Sequence, residues 1–190
     1  MTARWVVDEI RPHRDLNITW QPISLLVKNN PAEDSDYYAP VAFTHKLLRV
    51  QEAIRAAEGD DAVERIYWHF ATLIHHDKNR DFDVADELEA AGFDRSYATA
   101  MDDESLEDEV RSRMQAGLEL TGNDVGTPII ALDDDNGDRV ALFGPVITKV
   151  PTTEQSLRLW DGFVACAQTP GFWELKRTRT QSPEFGERPS

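Results

Sequence analysis

Asp124–Val146 reads DVGTPIIALDDDNGDRVALFGPV, and this stretch decides the fold. Two short β-rich runs, Thr127–Leu132 (TPIIAL) and Arg139–Phe143 (RVALF), flank the polar segment Asp133–Asp138 (DDDNGD). Isoleucine, valine and phenylalanine in runs this short read as strands. Asn136-Gly137 between them signals a hairpin, because a type I′ turn needs positive φ at both central residues. Pro128 opens the first run, where it sacrifices one ladder donor. The aspartates imitate a calcium loop only superficially. With Asp133 as first ligand, Gly137 falls fifth, one place before the sixth position that an EF-hand reserves for glycine, and no glutamate stands twelfth.

On the C-terminal side, Thr153–Ala167 predicts a helix with Leu157, Leu159, Trp160, Phe163 and Val164 as its apolar positions. The tail TQSPEFGERPS reads as loose, and the basic run Lys176–Arg179 as surface capping of that helix. At the other end, Thr2–Arg11 predicts a short helix with Trp5, Val6 and Ile10 on one side, stopped by Pro12. Leu16–Ser24 alternates like a strand, with Pro22 marking a sheet edge. Between residues 30 and 121 the apolar spacing turns helical. Helices are expected over Val41–Ala57, then through Ile66, Phe70 and Ile74 behind an Asp60 or Asp61 cap, then over Val84–Ala91 closed by Gly92, and over Leu106–Leu120. The order is helix, strand, helical block, strand, strand, helix. It predicts an α/β chain: a thioredoxin-like fold with a large helical insertion, lacking the first β-strand. Residues 1–29 with 122–180 form the thioredoxin-like part, 30–121 the insertion and 181–190 the tail.

Composition narrows function. Hydrophobic residues make up 41% of the 190, enough for a real core. Against 20 Lys+Arg stand 35 Asp+Glu, a net charge of −15 that repels phosphate backbones and argues against nucleic acid as a partner. No apolar run is long enough to span a bilayer, and MTARWVVDEIRPHR is not a signal peptide, so no membrane association and a cytoplasmic location are expected. The single cysteine, Cys166, excludes an internal disulfide, a Cys-based zinc site and a two-thiol redox cycle within these residues; it reads as a buried small hydrophobe.

Several blocks in fixed order carry a family resemblance: Ala3-Arg4-Trp5, Ser24-Leu25 through Asn29, Ile74-His75, Asp124-Val125-Gly126-Thr127-Pro128, Phe143-Gly144-Pro145-Val146, Leu159-Trp160-Asp161 and Glu174 through Arg179. The chain resembles the actinobacterial branch of DsbA-like thioredoxin-fold proteins that includes the mycothiol-dependent nitroreductases. In that family a Cys-x-x-Cys precedes the segment resembling Met1–Trp5. No catalytic residue is therefore expected among those present, and the thiol motif is expected upstream of Met1. A start assigned to an internal methionine, or a pseudoenzyme, would account for its absence.

The resemblance implies that Pro128 is cis, and that Gly126, Thr127 and Pro128 form the loop facing the thiols. The backbone of Thr127 would pair there with a bound thiol substrate in strand-like fashion. Asn29, Tyr38 (aligned with a one-residue gap) and His75 match substrate-pocket positions. His69 and His76 share a helical face with His75 beside them, but no acidic ligand lies at helical distance and no metal is expected. Relatives usually carry Arg-Gly where this chain has Thr152-Thr153, and the lost basic residue weakens the argument for mycothiol specificity. The implied function is a thiol-dependent oxidoreductase, inactive as written. It would bind no cofactor tightly and use a low-molecular-weight thiol, mycothiol or similar, as co-substrate. A disulfide or an electron-poor small molecule would be the acceptor. The alternatives are a glutathione-transferase-kappa-like or isomerase relative, and a non-catalytic thioredoxin-fold binding module.

Overall fold

The computed structural model describes residues 1–189. In chain order the helices are α1 (Thr2–Arg4), α2 (Leu25–Asn29), α3 (Tyr38–Glu58), α4 (Asp60–His75), α5 (Val84–Ala90), α6 (Glu107–Thr121) and α7 (Thr153–Ala167), with strands β1 (Ile129–Asp133) and β2 (Arg139–Phe143). The chain divides into two compact units. One comprises Met1–Ile18 with Ala116–Gly186; the other comprises Thr19–Gln115 with the segment from Glu187 onward.

In the first unit, α1 continues as a π-helical segment, Trp5–Ile10, and then a 3-10 turn, Arg11–His13, that contains Pro12. Winding by i→i+5 brings Trp5 and Ile10 onto one side, and both are fully buried. Trp5 meets Trp160 of α7 at 5.8 Å between ring centroids, and Leu16, Ile130, Ile147 and Leu157 pack around them. β1 and β2 form a two-stranded antiparallel hairpin, with Ile129 opposite Phe143 and Asp133 opposite Arg139. The turn differs from the expected type I′. Gly137 has φ +83° while Asn136 keeps negative φ. The Asp134 carboxylate explains the difference, because it accepts from the N–H groups of Asn136 (2.8 Å) and Asp138 (2.9 Å) and closes a longer loop.

The strand expected over Leu16–Ser24 does not form. Residues 14–22 alternate between more and less buried positions, as an extended chain does, yet no ladder bonds them. Alternation records which side chains face the protein; a strand also needs a neighbouring backbone, and this segment has none among the described residues. Its apolar side chains serve different cores instead. Leu16 packs in the Trp5 cluster of the first unit. Trp20, in the second, stacks on Tyr67 at 4.5 Å, and its carbonyl accepts from Arg55 Nη2 at 2.6 Å.

The second unit is helical, with a core of Leu47, Val50, Ile54, Ile66, Phe70 and Leu88 among others. Gly59, at φ +88°, ends α3 and starts α4. The expected cap shifts accordingly: Asp60 and Asp61 lie in the first turn of α4, where their charge suits the helix dipole, and neither caps it. Asp83 caps α5, and Gly92 closes it through Phe93 N–H to Leu88 O at 2.8 Å. α7 spans Thr153–Ala167 as expected and opens with a capping box of Thr152 and Gln155.

Candidate functional site

The mouth of the hairpin in the first unit is built from two X-Pro turns. The Thr127–Pro128 and Gly144–Pro145 peptide bonds are both cis. The two turns are joined by Gly144 N–H donating to Pro128 O at 2.8 Å, one step beyond the Ile129–Phe143 pair. Gly126 lets the loop lie against the Phe143 ring, since a Cβ there would stand 3.3 Å from Cε2. Gly144 takes φ +101°, a conformation open to glycine and costly for L side chains. The Thr2 hydroxyl donates to Pro145 O at 2.7 Å, which ties the start of α1 to the second turn. Thr127 is exposed, and neither its N–H nor its C=O is paired among the described residues. Phe143 and Val146, 43% and 50% exposed, leave apolar surface beside this open backbone. Such a place suits a ligand that offers its own donor and acceptor along an extended edge.

Thr152-Thr153 also has local work in this unit. The Thr152 side chain accepts from Gln155 N–H, and Thr153 Oγ1 donates to Glu9 Oε2 at 2.7 Å. Cys166 is half-buried on α7, more open than its sequence context predicts.

Asn29, Tyr38 and His75 belong to the second unit. Asn29 is exposed at the end of α2, and its amide donates to the hydroxyl of Tyr37 at 3.2 Å. The tyrosine that meets Asn29 is thus the neighbour of the expected Tyr38, which begins α3 half-buried. His75 ends α4 with its surface open; partial desolvation, together with the charges of Arg80 and His76, lowers its pKa. His69 pairs with Glu87 Oε2 of α5 at 2.7 Å, and among the described residues no three His, Cys, Asp or Glu side chains converge on a metal position.

Sequence spacing carries no sign of a buried polar chain in the second unit. Ser24 Oγ lies 2.9 Å from His45 Nδ1, and His45 Nε2 lies 2.8 Å from Glu107 Oε2. An ionised carboxylate only accepts, so His45 Nε2 donates to it, while Nδ1 shares a hydrogen bond with the Ser24 hydroxyl, accepting when the imidazole is neutral and donating when it is charged. Arg49 Nη2 adds a bond to the same Glu107 oxygen at 3.0 Å. Serine, histidine and glutamate in line resemble a hydrolytic triad. Ser24 is only 1% exposed, however, and its Oγ accepts from Val27 N–H as the N-cap of α2. A nucleophile must reach substrate, and this hydroxyl is a cap held inside a structural network.

The architecture is therefore that of a mixed α/β protein whose open, polar-edged site lies at a paired-proline hairpin mouth, accompanied by a helical unit. A sequence model of the Rv2466c-like family, described as mycothiol-dependent nitroreductase Rv2466c, matches residues 1–177. The chain belongs to this family. No helix among the described residues is long and apolar enough to cross a membrane.

Proposed function

We propose that this chain is a thioredoxin-like, DsbA-related member of the nitroreductase family that serves thiol-dependent reduction of electron-poor small molecules or mixed disulfides in the cytoplasm. Membership over residues 1–177 supports the reaction class, and mycothiol as the thiol. The observation that carries the reading of the site is the open backbone of Thr127 beside Pro128. Its N–H and C=O would align a thiol substrate in strand-like pairing, with Phe143 and Val146 taking the apolar part of the acceptor. In the helical unit, Asn29, Tyr38 and His75 are assigned to substrate contact.

Reduction of a disulfide by a protein dithiol needs two thiols that end as a disulfide. These 190 residues hold one, Cys166, which has no second thiol to resolve against. The 190-residue polypeptide therefore binds and orients but does not turn over. The test is to incubate it with a low-molecular-weight thiol and a nitroaromatic acceptor. Binding without acceleration over the uncatalysed thiol reaction is expected, unchanged in Cys166→Ser. Turnover abolished by Cys166→Ser would overturn the proposal. Turnover that survives Cys166→Ser would favour chemistry on the bound thiol itself, as in the glutathione-transferase-kappa-like alternative.

A further inference from the structure

The chain carries net charge −15, and most of its arginines and lysines are engaged by carboxylates or carbonyls. Arg158, Arg177 and Arg179 are among the exceptions, with no hydrogen bond or ion pair among the described residues. They line two adjoining surface depressions of the first unit, Arg158 one and Arg177 and Arg179 the other. One lobe, of about 550 Å³, lies between Pro151 and the α7 residues Arg158 and Leu159. The other, of about 560 Å³, is bounded by the 146–151 segment, Leu159 and the tail residues 177–181. The lobes share Pro151 and Leu159. The tail wall is held in place, since Glu184 N–H donates to Thr148 O at 2.7 Å and Arg4 Nη1 to Phe185 O at 2.6 Å. The basic run thus does not cap α7, whose last amides and carbonyls are closed around Gln168; it lies across the groove.

The chemistry of the groove is mixed. Val146, Ile147, Pro151 and Leu159 make it apolar, with Val146 and Leu159 50% and 36% exposed. Arg177 and Arg179 line the same lobe as that surface and Arg158 the adjoining one, and Lys149, shared with Glu184 at 3.6 Å, adds a fourth cation. Guanidinium recognises carboxylate, sulfonate and phosphate groups through paired N–H donors. A polyanion would be repelled by the field of the whole chain, whereas a single small anion feels mainly the local cations. The volume suits a small molecule.

We infer that this groove is a binding site for an amphipathic organic anion, its acidic group held by Arg158, Arg177 and Arg179 and its apolar body laid on Val146, Ile147, Pro151 and Leu159. The groove adjoins the Thr127 loop at Val146 but does not depend on the thiol chemistry proposed there. The test is a ¹H–¹⁵N correlation titration of the whole chain with decanoate, with decanol and inorganic phosphate as comparisons. Saturable shifts confined to residues 146–151, 158–159 and 177–181 are expected for decanoate, and weaker binding for decanol and phosphate. The Arg177→Glu/Arg179→Glu double variant, altered only at exposed tail positions, should weaken decanoate by about tenfold or more, with the rest of its spectrum unchanged. Equal affinity in the double variant, shifts at another place, equal binding of inorganic phosphate, or no saturation at millimolar decanoate would each overturn the inference.

Discussion

Glu107→Gln removes one charge from the centre of the buried chain in the helical unit and leaves side-chain size almost unchanged. Glu107 Oε2 accepts from His45 Nε2 at 2.8 Å and from Arg49 Nη2 at 3.0 Å, and Oε1 faces Arg111 Nε at 2.5 Å. Glutamine keeps one acceptor oxygen but turns an amide donor toward another donor. The side chains of His45 and Arg49 are only 6% and 14% exposed, so water cannot fully replace the lost charge. Removing one member of a buried pair costs about 3–5 kcal/mol. Glu107 is 19% exposed and Arg111 52%, which screens part of the interaction; a loss of about 2–3 kcal/mol at neutral pH is expected. Glu107 also begins α6, where its charge favours the helix dipole, and that contribution goes with it.

The pH dependence separates charge from packing. Burial raises the pKa of Glu107, but the hydrogen bond from Arg49, the charge and hydrogen bond of His45 and the charge of Arg111 prevail and leave it below the ordinary carboxylate value. A depressed carboxylate contributes stability that is complete above its unfolded pKa, about 4.3, and that is lost as pH falls through the lower folded value. The wild-type advantage over Glu107→Gln should therefore hold from pH 7 to about pH 5 and shrink below about pH 4. Native-state hydrogen exchange at the Val50 and Ile54 amides, in the fully buried middle of α3, reads the opening of this unit directly. A difference that stays constant as pH falls would refute the electrostatic account and assign the loss to packing.

Trp160→Ala should destabilise the first unit by about 3–5 kcal/mol, read by urea unfolding, because it empties the space between Trp5 and Phe163. Thr152→Ala removes the side-chain half of the capping box of α7 and should cost about 1 kcal/mol in the same assay. Gly144→Ala and Gly126→Ala should differ in thermal unfolding. At Gly144 a Cβ meets the backbone nitrogen of Val146 at 3.1 Å with φ at +101°, and a loss of about 2 kcal/mol or more is expected. At Gly126 the Cβ meets the exposed Phe143 ring, which can move, and the loss should stay below about 1 kcal/mol.

What was legible in the sequence follows the range of the interaction. Apolar spacing located α3, α4, α5 and α7, because a helix buries one face by a rule that every turn repeats. The hairpin was legible for the same reason, but its turn was not, since the Asp134 carboxylate competes for the amides that an Asn-Gly turn would leave free. Leu16–Ser24 showed its alternation and hid its missing partner, because pairing depends on residues far away in sequence. The same limit concealed the chain from Ser24 through His45 to Glu107, whose last two members are 62 residues apart. It also hid the choice of Tyr37 over Tyr38 beside Asn29, a difference of one position where a short helix ends and the next begins.

Thr152-Thr153 has a physical role in the first unit. At the start of α7 this chain places one hydroxyl, on Thr152, that accepts from Gln155 N–H and another, on Thr153, that donates to Glu9. Those hydroxyls are committed to the start of α7 and to the first helical segment, so they are poorly placed to hold a polar ligand. Cations without a partner among the described residues stand farther along this unit, at Arg158 on α7 and at Arg177 and Arg179 in the tail. The anion recognition inferred for the groove beside Leu159 and the thiol pairing proposed for the open backbone of Thr127 would then neighbour each other in one unit, with Val146 at the border. Arg177→Glu/Arg179→Glu, away from Thr127, and a change at Thr127, away from the tail, read the two features one at a time.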